Sequence, residues 1–515
     1  MGSTTTRRNG TSAPEELFAA ACAHARQAAV LASVESLLGW DERTLMPSQA
    51  GCYRAEQAAA LARLVHEHRT SPIQGERLAR LADGPLGRTG PADVAATIRL
   101  LKHDYEKQAR LPPRLVEEIA KTCVEAQQAW ATARAESSWP GLEPWLERIF
   151  TLKREQAACQ LPDLDPYDAL MDDYEPGARW RAVAERFDRL RREIVTLVQQ
   201  CVGAQRRPND AILRRHFPIE GQQRFVRAVA RQIGFDFDRG RLDTTDHPFC
   251  STAGPDDCRI TTRWDDRFLP TALFGVLHEA GHGLYEQGLP RDGYGLPAGQ
   301  AASLGIHESQ SRLWENMVGR SPAFWEWCFP LAVREFPEVL DVGERDELQR
   351  ALMVVAPSLI RVEADEVTYN LHVMMRFDLE RAVVQGDLPV RDLRDAWNDR
   401  FESDFGIRPA SDAEGVLQDI HWSGGLVGYF PTYTLGNMFA AQLMAAAEES
   451  MPQLHGDIAA GRFGDLLGWL NRKVHARGRL LESEPLVTEA TGRPVSERWL
   501  VDSLRHRYGP AHGLA

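Results

Sequence analysis

The feature that most constrains this chain is a helical texture that covers most of its length. Residues 15–40, "EELFAAACAHARQAAVLASVESLLGW", form a long Ala/Leu-rich run of helical period that ends at "MPSQAG". "YRAEQAAALARLVHEHRT" then resumes it, and residues 92–136, 143–159 and 178–204 repeat the pattern between Pro/Gly breaks at "LPP", "SSWPG" and "DYEPG". No fixed-period repeat and no βαβ alternation occurs, so the expected fold class is mainly α: a large helical, bundle-like assembly. One stretch departs from it. Residues 235–264 are rich in Thr, Asp, Gly and Pro, and "CRITTRW" is the best strand candidate in the chain. A small sheet next to the helix that follows it is therefore expected.

That helix reads "TALFGVLHEAGHGLYEQGL", residues 271–289. It places His278 and His282 four apart, with Glu279 directly after the first histidine. Four residues turn a helix by about 400° and raise it by about 6 Å, so both imidazoles share one face and can bind one Zn²⁺. Glu279 is rotated by about 100° and can flank the ion without ligating it, which suits a general base. Gly281 and Gly283 are poor helix formers, and their small size predicts close packing by a neighbouring element behind the site.

A catalytic site needs a third protein ligand and an open position. "LGIHESQSRLWENMVGR" offers His307 and Glu308, which face different ways on a helix. Glu308 is in line with Arg312 and Glu315, a polar stripe suited to a cleft wall. His307 is in line with Ser311 and Trp314, as expected of a packing or supporting residue. Glu308 is thus the expected ligand, completing a His₂Glu set.

These motifs resemble those of the carboxypeptidase Taq metallopeptidases (metallopeptidase family 32). "HEAGH" and "HESQSRLWEN" are joined, in family order, by "HPF" at 247–249, "DCRIT" at 257–261, "IRVEAD" at 360–365 and "GVLQDIHW" at 415–422. "WDERTLMP" and "PYDALMDDYEPG" also look familial, and the resemblance runs from about residue 15 to the C-terminus. It implies a mostly helical subunit with a deep central groove, a homodimer, and removal of C-terminal residues from peptides with broad specificity. The implied chemistry is a zinc-activated water with Glu279 as base. Because His₂Glu sites accept several divalent ions, Co²⁺ or Mn²⁺ are possible substitutes.

Further site candidates follow. His421, Tyr429 and Tyr433 lie in "HWSGGLVGYFPTY", where His421 and Tyr433 are candidates for the developing oxyanion and Tyr429 for substrate contact. An exopeptidase must hold a free carboxylate, which a guanidinium does bidentately. Arg361 is the first candidate, against a plain helix-surface pair with Asp365 at i+4. His247 and Arg259 are alternatives, and the family motifs leave open whether they bind the C-terminus or limit substrate length. Gln418, Asp419, Asp365 and Glu366 are expected to orient His421 or a metal ligand.

Composition limits the other classes. A net charge of −13 with scattered Lys and Arg excludes a nucleic-acid surface. No run of 18 uninterrupted apolar residues suggests a membrane span, and eight dispersed cysteines without a C-x-x-C pair fit a reduced, cytoplasmic protein. "MGSTTTRRNGTSAP" has no apolar segment of a secretory signal and reads as a disordered tail at 1–14, ahead of one helical domain at 15–515, as a single body or as two lobes flanking the groove. Two other readings stay open: an endopeptidase or dipeptidase in the same helical cleft, and a catalytically silent helical binding protein.

Overall fold

The computed structural model describes residues 13–514. Most of the expected tail lies outside them. Pro14 already opens the first helix, α1 (Pro14–Thr44), where a proline's fixed φ and missing N–H cost nothing. The fold is mainly α with one small sheet, as the helical texture predicts.

The described residues divide into two compact units, residues 13–110 with 290–300, and residues 111–289 with 301–514. In the first, α1 packs on α2 (Gly51–Arg69) and α3 (Pro72–Asp83) around Ala21, Leu78, Leu81 and Ile98. The rings of His24 and His68 stack at 3.8 Å, and each Nε2–H donates to the other residue's carbonyl, tying α1 to α2. By length and composition α1 is apolar enough to cross a membrane. Its solvent-facing Val30, Val34 and Leu37 contribute to that apolarity.

The second unit holds the large core and the sheet. Strands β1 (Gly240–Thr244), β2 (Cys250–Thr252) and β3 (Cys258–Thr262) lie in the order β1-β3-β2, with β1 parallel and β2 antiparallel to β3. The predicted strand "CRITT" is the central one. Thr261 ties it to "HPF": the Phe249 N–H donates to Thr261 Oγ1 at 2.8 Å, and the Thr261 N–H to the Phe249 carbonyl at 3.0 Å. Cys250 and Cys258 bring their thiols to 3.7 Å across β2 and β3.

The sheet leads into the helix Leu269–Gly288, which carries HEAGH and packs on β3 and on the helix Leu304–Arg312. A π-helical turn, Leu313–Val318, continues the latter. The glycines make these contacts possible. A Cβ on Gly281 would sit 2.6 Å from Ser311 Cα and 2.7 Å from the Gln310 carbonyl oxygen, and one on Gly283 2.5 Å from the Phe235 ring. On the far side, a Cβ on Gly436 of the helix Pro431–Ser450 would meet Glu308 Cβ and Cγ at 2.6 Å. The Glu308 helix is thus pinched between two glycine-bearing helices.

Gly281→Ala should therefore destabilise the protein. The gain of roughly 0.8–1 kcal/mol in helix propensity is outweighed by overpacking against main chain, typically about 1–3 kcal/mol. Thermal melting checks the sign, and a more stable variant would refute the close-packing account.

Candidate metal centre and active site

His278 and His282 stand one turn apart on Leu269–Gly288, and Glu308 faces them from Leu304–Arg312. Glu308 Oε2 lies 3.7 Å from His278 Nε2 and 3.6 Å from His282 Nε2. The three donor atoms all fall within 4.8 Å of one another. A tetrahedral ion with bonds of roughly 2.0–2.1 Å separates its donors by about 3.4 Å, so the set fits a small divalent cation.

Hydrogen bonds behind the donors leave the right atoms facing inward. His278 Nδ1–H donates to Glu315 at 2.8 Å, so Nε2 keeps its lone pair. His282 Nδ1 lies 2.5 Å from His307 Nδ1, and His307 Nε2 lies 2.8 Å from Glu286. One proton arrangement satisfies this chain: His282 donates to His307, and His307 donates to Glu286. Arg312 donates to Glu308 Oε1 at 2.7 Å and to Glu315 at 3.1 Å, while Glu308 Oε2, which also accepts from Ser311 Oγ at 3.2 Å, is the oxygen that faces the two imidazoles. Burial works to lower His278, but Glu308 and Glu315 outweigh it and hold the imidazole above its ordinary value. Burial, His307 and His278 push His282 far down. Burial also raises Glu315, yet Arg312 and His278 more than reverse this and bring it to about 2.

Glu279 is buried beside the donors. Burial pushes it up to about 7, helped by Glu308 and Glu315 and opposed by His278. A carboxylate titrating near neutrality can take and return a proton at little cost.

A second cluster lies next to the first. Arg361 is buried, with Nε and Nη2 on Asp419 Oδ1 at 3.0 and 2.9 Å and Nη1 on the Tyr369 hydroxyl at 3.1 Å. Arg376 holds the other oxygen of Asp419. Two guanidiniums share one carboxylate, and burial lowers His421 to about 4, so the cluster keeps an uncompensated positive charge at neutral pH. His421 Nε2 lies 3.3 Å from the Tyr433 hydroxyl, and the Arg361 guanidinium sits 5.3 Å from the Tyr433 ring. The Tyr429 ring packs at 5.3 Å on Tyr433. Tyr369 links the clusters, with Arg312 stacked 4.6 Å from its ring centroid and Arg361 5.8 Å from it.

Several expectations need correction. Arg361 opens a 3₁₀ turn, Arg361–Glu363, and its partner is Asp419, not Asp365. Asp365 instead caps the helix Glu366–Gln385, accepting from the amides of Val367 and Thr368. Glu366 pairs with Arg507 and Tyr508, and Gln418 accepts from the Arg361 amide, so neither touches His421 or a donor. Asp419 lies 3.8 Å from His421 Nδ1 but is held by the two arginines. His247 is exposed, and Arg259 forks onto Asp257 at 2.7 and 2.8 Å.

Sequence reasoning missed Glu286, although its i+4 spacing from His282 was a signal. It also missed Tyr369, Arg376 and Glu380, buried polar positions along one stripe of a helix that is buried over most of its length.

Two histidines one helical turn apart, a buried glutamate beside the first and a carboxylate facing both from a packed helix make the arrangement expected of a helical HExxH metallopeptidase. Comparison with known proteins agrees. A family model described as carboxypeptidase Taq (M32) metallopeptidase matches residues 20–508. The chain is 43% identical to thermostable carboxypeptidase 1 of Thermus thermophilus over 509 residues, covering 97% of this chain and 100% of that one. It is 35% identical to carboxypeptidase 1 of Bacillus subtilis, covering 92% and 94%. The M32 carboxypeptidase structure from Deinococcus radiodurans R1 superposes with a TM-score of 0.93 at 39% identity, covering 97% of this chain and all of that one. This chain belongs to the M32 metallocarboxypeptidase family, and it is a peptide-bond hydrolase that uses a divalent metal ion.

Proposed function

We propose that this carboxypeptidase removes C-terminal residues from peptides of varied sequence, with Zn²⁺ held by His278, His282 and Glu308. Co²⁺ or Mn²⁺ would serve as substitutes, since nothing in a His₂Glu set rejects them. Bound there, the ion would supply Lewis acidity, acidifying a water and polarising the scissile carbonyl. Glu279 takes the proton from that attacking water and returns it to the leaving amine nitrogen. The Tyr433 hydroxyl, paired with neutral His421, donates to the carbonyl oxygen as negative charge develops on it. Arg361 holds the substrate carboxylate. Its bonds to Asp419 and Tyr369 fix the guanidinium plane and leave Nη1 and Nη2 each with a further N–H to offer. Tyr429 packs against the bound peptide beside Tyr433.

The observation that carries this reading is the Tyr369 ring, which bridges Arg312 at the metal ligand and Arg361 at the positive cluster. A reactive centre and a carboxylate clamp on either side of one ring suit cleavage of the last peptide bond. A C-terminal ladder assay by mass spectrometry tests it. Free-acid peptides should shorten one residue at a time, and their amides should persist. A chelator should stop the reaction. Equal cleavage of amidated peptides would instead indicate an endopeptidase.

Two further features belong to this proposal. The solvent-facing apolar strip Val30, Val34 and Leu37 on α1 supports a homodimer. Eight cysteines, all present as thiols, support a cytoplasmic setting.

A further inference from the structure

Glu380, on the helix Glu366–Gln385, is fully buried, yet no step of the proposed hydrolysis uses it. Its carboxylate accepts three hydrogen bonds. Tyr167 Oη donates to Oε1 at 2.7 Å and the Gly428 amide to the same oxygen at 2.8 Å, while Trp422 Nε1 donates to Oε2 at 2.6 Å. Trp422 and Gly428 bracket the turn-rich segment 421–430, which carries His421 and Tyr429 and runs into the first turn of the Tyr433 helix. At Gly428 the backbone has φ +89°, and a Cβ would meet the main chain of Leu170 and Met171 at 2.7–2.8 Å. The segment is therefore pressed onto the protein at one end and hung from Glu380 at both.

All three partners are donors, and a carboxylate is acceptor-only, so it satisfies all three at once. An amide does not. With its oxygen at Oε1, its NH₂ faces the indole N–H; flipped, its NH₂ faces the Gly428 N–H. The site therefore requires an anion at this position, despite its burial.

We propose that Glu380 is a positioning residue for peptide hydrolysis, an anionic anchor whose three hydrogen bonds hold segment 421–430 and so set His421, Tyr429 and Tyr433 against the substrate. This rests on reading those three side chains as active groups. Burial pushes Glu380 up to about 7, while Tyr167, Gly428, Trp422 and Lys153 draw it down. The anchor is therefore best tested above about pH 8, where a group titrating near 7 is ionised.

Glu380→Gln, Trp422→Phe and the double variant, each metal-loaded, separate the possibilities. Glu380→Gln should keep wild-type metal content, because the three donors lie on other elements. Amide hydrogen exchange across 421–430 should speed up, and KM for a free-acid peptide should rise on the order of tenfold, more than kcat falls. Adding Trp422→Phe removes the donor that faces the new amide, so exchange protection and KM should return towards the Trp422→Phe values. Unchanged exchange, unchanged kinetics, or a double variant no better than Glu380→Gln would each overturn the proposal. If Glu380→Gln fails to fold, the double variant decides: it should fold and behave like Trp422→Phe, and its failure too would overturn the proposal. A fully active Tyr433→Phe variant would instead overturn the reading on which the proposal rests, whatever Glu380 does.

Discussion

Replacing Glu279 by glutamine is expected to cut kcat roughly 10²–10⁴-fold, the usual contribution of a positioned general base. Metal content should not change. The amide fills the same buried space and leaves His278, His282 and Glu308 untouched, but it cannot accept a proton from the attacking water. Glu279 is placed beside the converging donors and not among them: it is rotated by about 100° from His278 on the helix, and the cluster is formed by the other three residues. Metal analysis and steady-state kinetics on one preparation check both halves. A fully active variant would remove Glu279 from the mechanism, and a metal-free variant would make it a ligand.

Glu308→Ala should act through the metal. If the site binds its ion on the scale of structural zinc, roughly 10–16 kcal/mol, a third of that is about 3–5 kcal/mol. At about 1.4 kcal/mol per tenfold, affinity should fall roughly 10²–10⁴-fold, with activity at background after dialysis. Alanine also strips the partly buried Arg312 of its hydrogen bond to Glu308 Oε1, so some loss of stability should accompany it. Glu308→Gln keeps an acceptor for Arg312 and separates the effects: it should melt near the wild type while still binding metal weakly. Competition titration against a chromogenic chelator reads the affinity, and wild-type affinity in the alanine variant would exclude Glu308 as a ligand.

The sequence made the helical class and the metal cluster legible for a physical reason. Helical periodicity is local, and so is the four-residue step from His278 to His282. Glu308 could be chosen over His307 because adjacent residues on a helix face different ways, and the structure turns Glu308 to the donors and His307 to the back of His282. The Arg361 cluster was less legible. Its partner Asp419 is distant in sequence, so i+4 spacing pointed to Asp365, a residue that in fact caps a helix. Spacing also gave no view of Tyr369, whose importance comes only from lying between two arginines. His247 and Arg259 sit in motifs whose visible work is structural, because Thr261 and Phe249 stitch β3 to the "HPF" segment.

The glycine pinch around the Glu308 helix bears on how the site accommodates its ion. With Gly281 against the backbone of residues 310 and 311, and Gly436 against the stem of Glu308 itself, neither side leaves slack for a rotamer change. An ion of larger radius needs longer bonds, and here that length has to come from moving a whole helix. Ionic radius is thereby coupled to main-chain displacement, so exchanging one accepted cation for a larger one should register as a small shift of the Glu308 helix.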